Sequence, residues 1–524
     1  MAWIDVADEA AVTAAGRLVV RADGRQILLS LTERGLFATA NRCPHEGYPL
    51  SEGTLQGCTL SCNWHNWKFD LESGETLVGG DRLPRFPVRL EAGRVWVDVT
   101  RPPVAEERAK ILDGLAHALD DRDQQRLVRE TARLGRLGTD PADAVRVALA
   151  WAYERLEYGT THAFAAAPDW LRLADDAGLG ADARLMALGE ILGHVADDVG
   201  GTDARFRFTS EHVSWDAADF LAAIEREDEN AAAGLLRGAL AASERPTDFA
   251  AALFAAGLAH YADFGHSLIY VAQALRLIER LGSDVAGPVL LSLVRSLVYA
   301  RREDLLPEFR DYHARLDAWW ASPDIARPLD PVVLRRISAK QAMAIVAGWG
   351  ATHAPEAVFA VLVEAAAWQL LHADAPFFDS PDQKLSDNVG WLDFTHALTF
   401  AAAGLDAVHA DRALWPALLL QLACFIGRNS GYVDAELATD AWRVSNRQAF
   451  RADAIQTLVH HGQGRFILSA HLAKTLFAAL EVAEAVPDAA PTVLAAARRF
   501  LEAPIRARHP LRTARQMLAF VAEE

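Results

Sequence analysis

Two cysteines and two histidines constrain this chain more than any other feature. They are spaced as Cys43-Pro44-His45 and, sixteen residues later, Cys62-Asn63-Trp64-His65. Cys-x-His and Cys-x-x-His on two loops can bring two thiolates and two imidazoles around one point. Such a set suits a [2Fe–2S] cluster in which Cys43 and Cys62 hold one iron and His45 and His65 the other. Two neutral imidazoles in place of thiolates make the cluster less negative and raise its potential. The same four ligands also suit tetrahedral zinc, and spacing alone leaves both open. The chain has only four cysteines, and three of them (Cys43, Cys58, Cys62) fall within twenty residues. A metal is therefore expected rather than a disulfide framework, with the cytosol as the default compartment. Cys58 lies outside the ligand pattern and reads as a small buried residue.

The chain changes character after these loops. Residues 1–100 read as β: Arg17–Arg21, Gln26–Ser30 and Leu36–Ala40 are short apolar runs split by Gly or Asp-Gly turns. Arg94–Val99 alternates, with Val95, Val97 and Val99 on one face. Pro102-Pro103 marks a break, and residues 104–524 carry Ala- and Leu-rich segments of 3.6-residue period. Helices are expected over Pro141–Leu156, Phe249–Leu281 and Arg465–Ala483, the first opened by Asp140 as cap and Pro141 as first helical residue. A softer break is expected over Ser322–Pro331, and a functional or core-plugging loop over Ala373–Asn388 around Phe377-Phe378. The fold class is thus multidomain: a small all-β domain, then a large all-α domain, putting 524 residues into two bodies. A formal charge of −18 without a basic run disfavours nucleic acid and anionic lipid. No secretory signal is expected in MAWIDVADEA. Apolar runs such as Leu414–Ile426 are expected to fall short of the ~20 residues of a membrane span.

The residues around the ligands narrow the choice. Cys43-Pro-His-Glu-Gly-Tyr-Pro-Leu and Cys62-Asn-Trp-His-Asn-Trp-Lys-Phe-Asp, with Gly74-Glu and Phe86-Pro-Val-Arg later, resemble Rieske ferredoxin-type domains over residues 3–99. The resemblance implies a [2Fe–2S] cluster on Cys43, His45, Cys62 and His65. Asn63 stands where that family usually has Pro, and Asn66 where it usually has Gly; Asn tolerates positive φ better than most residues. The disulfide of Rieske proteins in cytochrome bc complexes would fall at Tyr48 and Trp64, so the resemblance implies the ferredoxin-like kind, toward the low end of about −150 to +300 mV.

A Rieske domain fused to a large partner resembles the Rieske non-haem iron oxygenases. Their Asp-x-x-His iron motif with a second His four or five residues away is missing here, so that site is not transferred. The helical region offers its own pattern. Asp263-Phe-Gly-His266 and Asp393-Phe-Thr-His396 are near copies, and on a helix residues three apart share a face. Carboxylate-x-x-His on two helices is a di-iron bundle arrangement, though those use Glu. Thr161-His162 and Ala470-His471 open similar apolar segments, and Lys474 follows His471 by three, either snorkelling or facing a substrate. His260, Asp263, His266, Tyr270 and Gln273 form a polar stripe, as a cavity, metal or cofactor requires. Glu157 and the pair His194 and Asp198 are weaker candidates. Each Asp-His pair also has a plainer use, Asp orienting the imidazole. Gly265-His-Ser-Leu-Ile-Tyr and Ala470-His-Leu-Ala-Lys-Thr are similar to questin-oxidase-like proteins, helical ring-cleaving oxygenases, from which no residue is transferred.

The expected function is an oxidoreductase, an oxygenase whose cluster passes electrons to an oxygen-activating second non-haem iron on Asp263, His266, Asp393 and His396. His162, His266, His396, His471 and Lys474 are the candidate catalytic residues. No nicotinamide or flavin fingerprint and no Cys-x-x-Cys-His is present, so a separate reductase or ferredoxin is expected to load the cluster. The substrate is expected to be a small organic molecule. The alternative is an electron carrier or redox sensor whose helical half is an α-repeat-like docking module. Convergence of the four histidines favours the enzyme; scattering along a solenoid favours the module.

Overall fold

The computed structural model describes residues 2–242, 245–261, 263–319 and 328–523. Most of the break expected at Ser322–Pro331 lies outside the described residues; from Asp330 onward that carboxylate caps a short 3-10 helix, Pro331–Leu334. The chain divides into two compact units, Met1–Gly114 and Leu115–Glu524, the division falling within the helix Val104–Asp121.

The first unit is antiparallel β. Its strands are β1 (Trp3–Asp8), β2 (Arg17–Ala22), β3 (Arg25–Thr32), β4 (Gly35–Ala40), β5 (Thr54–Gln56), β6 (Thr59–Ser61), β7 (Lys68–Asp70), β8 (Thr76–Val78), β9 (Arg85–Phe86), β10 (Val88–Glu91) and β11 (Arg94–Asp98). They pair in three small sheets of order β1-β11-β10, β2-β3-β4-β9 and β5-β6-β7-β8. The alternation in β11 sends Val95, Val97 and Val99 into a core with Ile27, Leu29 and Val12. Val12 belongs to a short helix, Glu9–Ala15, that breaks the all-β expectation only locally. A second core of Leu28, Leu50, Leu60, Phe69, Leu71 and Leu83 also buries Cys43 and Cys62. The apolar positions of β3 therefore serve two cores: Ile27 and Leu29 one, Leu28 the other.

The second unit is helical, and eight of its helices form four hairpins. These are α1 (His162–Ala174) with α2 (Ala181–Val199), α3 (His266–Leu281) with α4 (Ala286–Val298), α5 (Trp391–Ala410) with α6 (Trp415–Asn429), and α7 (Phe466–Ala485) with α8 (Ala490–Glu502). Short connections make each pair antiparallel. The first helices of the four pairs pack in a closed ring, α1 on α3, α3 on α5, α5 on α7 and α7 on α1. Contacts at both ends show that these four run in the same direction. His162 meets His266 and His396 meets His471 at one end; Arg172 meets Glu481 and Arg276 meets Asp406 at the other. The ring helices are apolar nearly all round, as helices buried on every side must be.

Among the described residues, two helical stretches are long and apolar enough to cross a membrane, Ser283–Leu305 and Phe466–Ala485, both longer than Leu414–Ile426. Their most apolar windows are 61% and 83% buried inside the protein.

The expected helix over Phe249–Leu281 is broken into Ala250–Gly257 and α3. Between them Asp263, Phe264 and Gly265 hold φ of 50°, 47° and 76°, a left-handed turn. Each L-residue there costs about 1–2 kcal/mol. The turn is held from outside. The Phe264 N–H donates to the Glu303 carboxylate at 2.6 Å, the Asp263 N–H to the Arg301 carbonyl at 3.2 Å, and the Arg428 guanidinium covers the Phe264 ring at 3.6 Å. The continuous polar stripe is therefore corrected: only His266, Tyr270 and Gln273 share a helix. His260 lies outside, its Nδ1 3.9 Å from Asp304.

Gly265 faces Phe400 and Phe425, and a β-carbon there would sit 2.7 Å from each ring. Gly265→Ala is expected to lower stability by about 2–5 kcal/mol, from left-handed strain plus overpacking. An unchanged urea-unfolding midpoint would refute this.

Two smaller expectations also shift. The helix expected from Pro141 begins at Asp143, and the Asp140 carboxylate accepts from the Ala142 N–H in the turn before it. The loop Ala373–Asn388 contains a short helix, Ala375–Phe378, whose Phe378 ring packs 5.6 Å from Trp391 and Phe394. Phe378 plugs a core edge.

Candidate metal centres

The two loops of the first unit are built alike. The Cys43 N–H donates to the Tyr48 carbonyl and the Gly47 N–H to the Cys43 carbonyl; the Cys62 N–H donates to the Trp67 carbonyl and the Asn66 N–H to the Cys62 carbonyl. Each loop is thus a closed turn that presents a cysteine and, two or three residues on, a histidine. The turn needs a left-handed residue, which is Gly47 (φ 81°) in the first loop and Asn66 (φ 59°) in the second. Asn66 can replace glycine because its short polar side chain tolerates this region. Asn63, in place of the family's proline, ties the second loop down: its amide donates to the Glu52 carbonyl and its oxygen accepts from the Thr54 hydroxyl, both at 2.8 Å. Asn66→Ala is expected to cost about 1–2 kcal/mol, while Asn66→Gly is neutral or stabilising. Thermal loss of the cluster's visible circular dichroism would show it, and equal melting of Asn66→Ala and the natural protein would refute it.

The four side chains fit the cluster's needs. Cys43 and Cys62 are 2% and 1% exposed and sit in the same core. Burial, reinforced by Cys62, pushes the Cys43 thiol up to about 11. Two thiols so placed ionise only when a cation compensates them. The His45 and His65 rings stand edge to face, centroids 4.8 Å apart. Trp67 stacks on His45 at 4.6 Å and Trp64 on His65 at 4.9 Å, fixing both rings. Glu46, which the spacing argument passed over, lies 3.9 Å from the His65 Nδ1. Cys58 is half-buried, its sulfur 3.6 Å from the Thr32 hydroxyl.

In the second unit the four repeated histidines meet. His162 and His266 are the first residues of α1 and α3; His396 and His471 are each the sixth residue of α5 and α7. The Nε2 atoms of His162 and His266 are 3.0 Å apart, and those of His396 and His471 3.3 Å. One ligand nitrogen from each of His162, His266 and His396 can lie within 4.8 Å of the others. The His471 ring centroid is 4.9 Å from that of His162. Burial, with smaller contributions from neighbouring charges including Lys474, lowers the pKa of all four and keeps them neutral. The His471 Nδ1 faces the Ile467 carbonyl at 2.7 Å, and the His266 Nδ1 faces the Asp263 carbonyl. A proton on Nδ1 in both leaves the Nε2 lone pair directed at the group's centre, the tautomer of an imidazole metal ligand.

The carboxylates are placed otherwise. Asp393 sits in the first turn of α5, where it accepts from the Gly390 N–H at 2.8 Å and binds Arg428 at 2.8 Å. Its expected metal role beside His396 is corrected: helix capping uses that carboxylate. Asp263 is in the left-handed turn, its carboxylate 3.9 Å from the His266 Nδ1, on the side away from the other imidazoles. It belongs behind the histidine rather than among the ligand nitrogens. His194 lies 3.6 Å from Asp198, which in turn accepts from the Ala163 N–H at the start of α1. Glu157 is exposed and takes no part.

Beyond the imidazoles the ring interior stays polar. Lys474 is 1% exposed and its ammonium has no hydrogen-bond partner among the described residues. Burial lowers its pKa to about 8. It lines a small cavity between α1, α3, α5 and α7 with Asp169, Gln273 and Thr399. Asp169, missed in the sequence, accepts from the Gln273 amide at 2.6 Å, and burial raises its pKa to about 6. Its signal was an Asp seven residues after His162, as Gln273 is seven after His266. Glu303, the anchor of the left-handed turn, carries no local signal.

Comparison with known proteins agrees with this geometry in the first unit. Residues 2–84 match the Rieske [2Fe-2S] domain. A ferredoxin component of the naphthalene 1,2-dioxygenase/salicylate 5-hydroxylase systems of Ralstonia sp is 30% identical over 97 residues, covering 18% of this chain and 93% of that protein. A 4beta-methylsterol monooxygenase of Methylococcus capsulatus is 34% identical over 99 residues, covering 17% of this chain but only 27% of the relative. A solved complex of oxygenase and ferredoxin in carbazole 1,9a-dioxygenase aligns at 24% identity over 19% of this chain and 96% of the matched chain, with TM-score 0.18. The chain belongs, through its β unit, to the Rieske [2Fe–2S] proteins.

Proposed function

We infer that this chain is a Rieske oxidoreductase of oxygenase type, in which the cluster delivers electrons to a metal held in the helical ring by His162, His266 and His396, with His471 as the fourth imidazole. The observation that carries this is the meeting of four neutral histidines from four parallel helices. A docking solenoid has no need of it. Neutral imidazoles without carboxylate suit iron, copper or zinc; iron fits a redox partner of a [2Fe–2S] cluster. When bound, such a metal supplies one-electron and oxygen chemistry. The protein's own contribution is the ring that holds the imidazoles, the Nδ1–carbonyl contacts that orient two of them, and the burial that keeps water and protons off them.

Several relatives are ferredoxin components of dioxygenase systems, which supports an external reductase as electron donor and a small organic substrate. The test is an iron count with electron paramagnetic resonance on the full chain and on a variant lacking His266 and His396. A third iron that depends on these residues supports the function. A cluster alone, equal in both proteins, overturns it in favour of an electron carrier.

A further inference from the structure

The charge around the histidine layer is unbalanced. Among the described residues no carboxylate joins the converging ligand atoms: Asp263, 31% exposed, faces the outer Nδ1 side of His266, and Asp393 is bound to Arg428. The helices α1 and α3 begin at His162 and His266, so the positive ends of two helix dipoles lie there as well. Lys474 adds a buried ammonium without a hydrogen-bond partner, three residues beyond His471 on α7. Asp169 lines the same cavity, where it is bonded to Gln273. Asp198 caps α1 from outside, through the Ala163 N–H.

A metal ion on imidazoles alone keeps its whole charge, and buried charge needs a partner. The aspartate offsets the lysine at most, so the metal's own charge remains. Farther along the ring, Arg276 and Arg172 together balance Asp406 and Glu481. What the balance lacks is one negative group for the metal and the unpartnered ammonium.

We propose that the four-histidine centre takes a small monoanion at an open metal position, with the Lys474 ammonium as the anion's second contact. The ligand class is a compact oxygen or nitrogen anion, such as azide or a deprotonated substrate oxygen. The metal would supply the first contact, and Lys474 a donor without a hydrogen-bond partner among the described residues. This rests on the metal reading above.

Azide titration of the iron-loaded full chain, followed by absorbance and paramagnetic resonance, tests it. The natural protein is expected to bind azide with a new iron signal. Lys474→Met, similar in shape but uncharged, is expected to weaken azide at least about tenfold while the iron content stays unchanged. Asp169→Asn, which removes the competing negative charge, is expected to tighten azide. A merely structural role for the pair would move both variants the same way. Equal azide affinity in the natural protein and Lys474→Met, with iron retained, overturns the anion site and leaves the metal standing. Failure to retain a third iron in the natural protein overturns both. Should Lys474→Met not fold, no tightening in Asp169→Asn overturns the proposal alone.

Discussion

Full-length protein loaded with iron without oxygen is expected to carry about three irons per chain, two in the cluster and one in the helical ring. Replacing His266 and His396 by Ala should leave about two. The expected effect is large because both imidazoles would be first ligands. Loss of an outer-shell partner alone typically costs about 10–100-fold in metal affinity, and loss of a ligand costs more. The cluster signal should persist in the variant, since its ligands lie in the other unit. His471→Ala alone should weaken binding less, because the closest trio of ligand atoms is His162, His266 and His396. Far-ultraviolet circular dichroism would check that the ring still forms. Two irons in both proteins, with the variant folded, would refute the third-iron site.

The second large effect is expected at the cluster. Cys62→Ser should abolish the Rieske paramagnetic signal and visible absorption. A serine oxygen stays protonated where a thiol can be ionised by iron. Cys43 and Cys62 are buried in the core of Leu28, Leu50, Leu60 and Phe69. The metal-free β unit should therefore change little in secondary structure, as only one small buried atom differs. Cluster assembly should also weaken as pH falls. The Cys43 thiol, held up to about 11 by burial, must give up its proton to bind iron. Retention of the Rieske signal in Cys62→Ser would refute the ligand assignment.

The cluster was legible because it is local. Each half lies on one tight turn, and the left-handed demand of the second turn was readable in Asn66 itself. The helical centre was legible only in its histidines. They stand out because a histidine at the head of an apolar helix has few other uses. Their partners were misread for two reasons, a missing helix under Asp263 and a competing cap at Asp393. Asp263 precedes α3 on a left-handed turn, and Asp393 lies in the first turn of α5, where unpaired N–H groups claim a carboxylate first. The break before α3 was hidden for a related reason. Its cause lies in Glu303, Arg301 and Arg428, which are far along the chain and touch Phe264 and Asp263 only in the folded protein. Asp169 failed to register since a single acid in an apolar run reads as an accident until Gln273 is seen beside it.

In a ring of four hairpins, a metal bound as proposed would be a keystone. Each hairpin gives one imidazole, and the paired ones are 104 and 75 residues apart in the chain. A bound ion would therefore cross-link segments whose closure costs chain entropy that grows slowly with loop length. No single hairpin owns the site, and none can hold the ion alone. Metal uptake would then accompany completion of the ring, and the proposed centre would be ready only once the last hairpin is made.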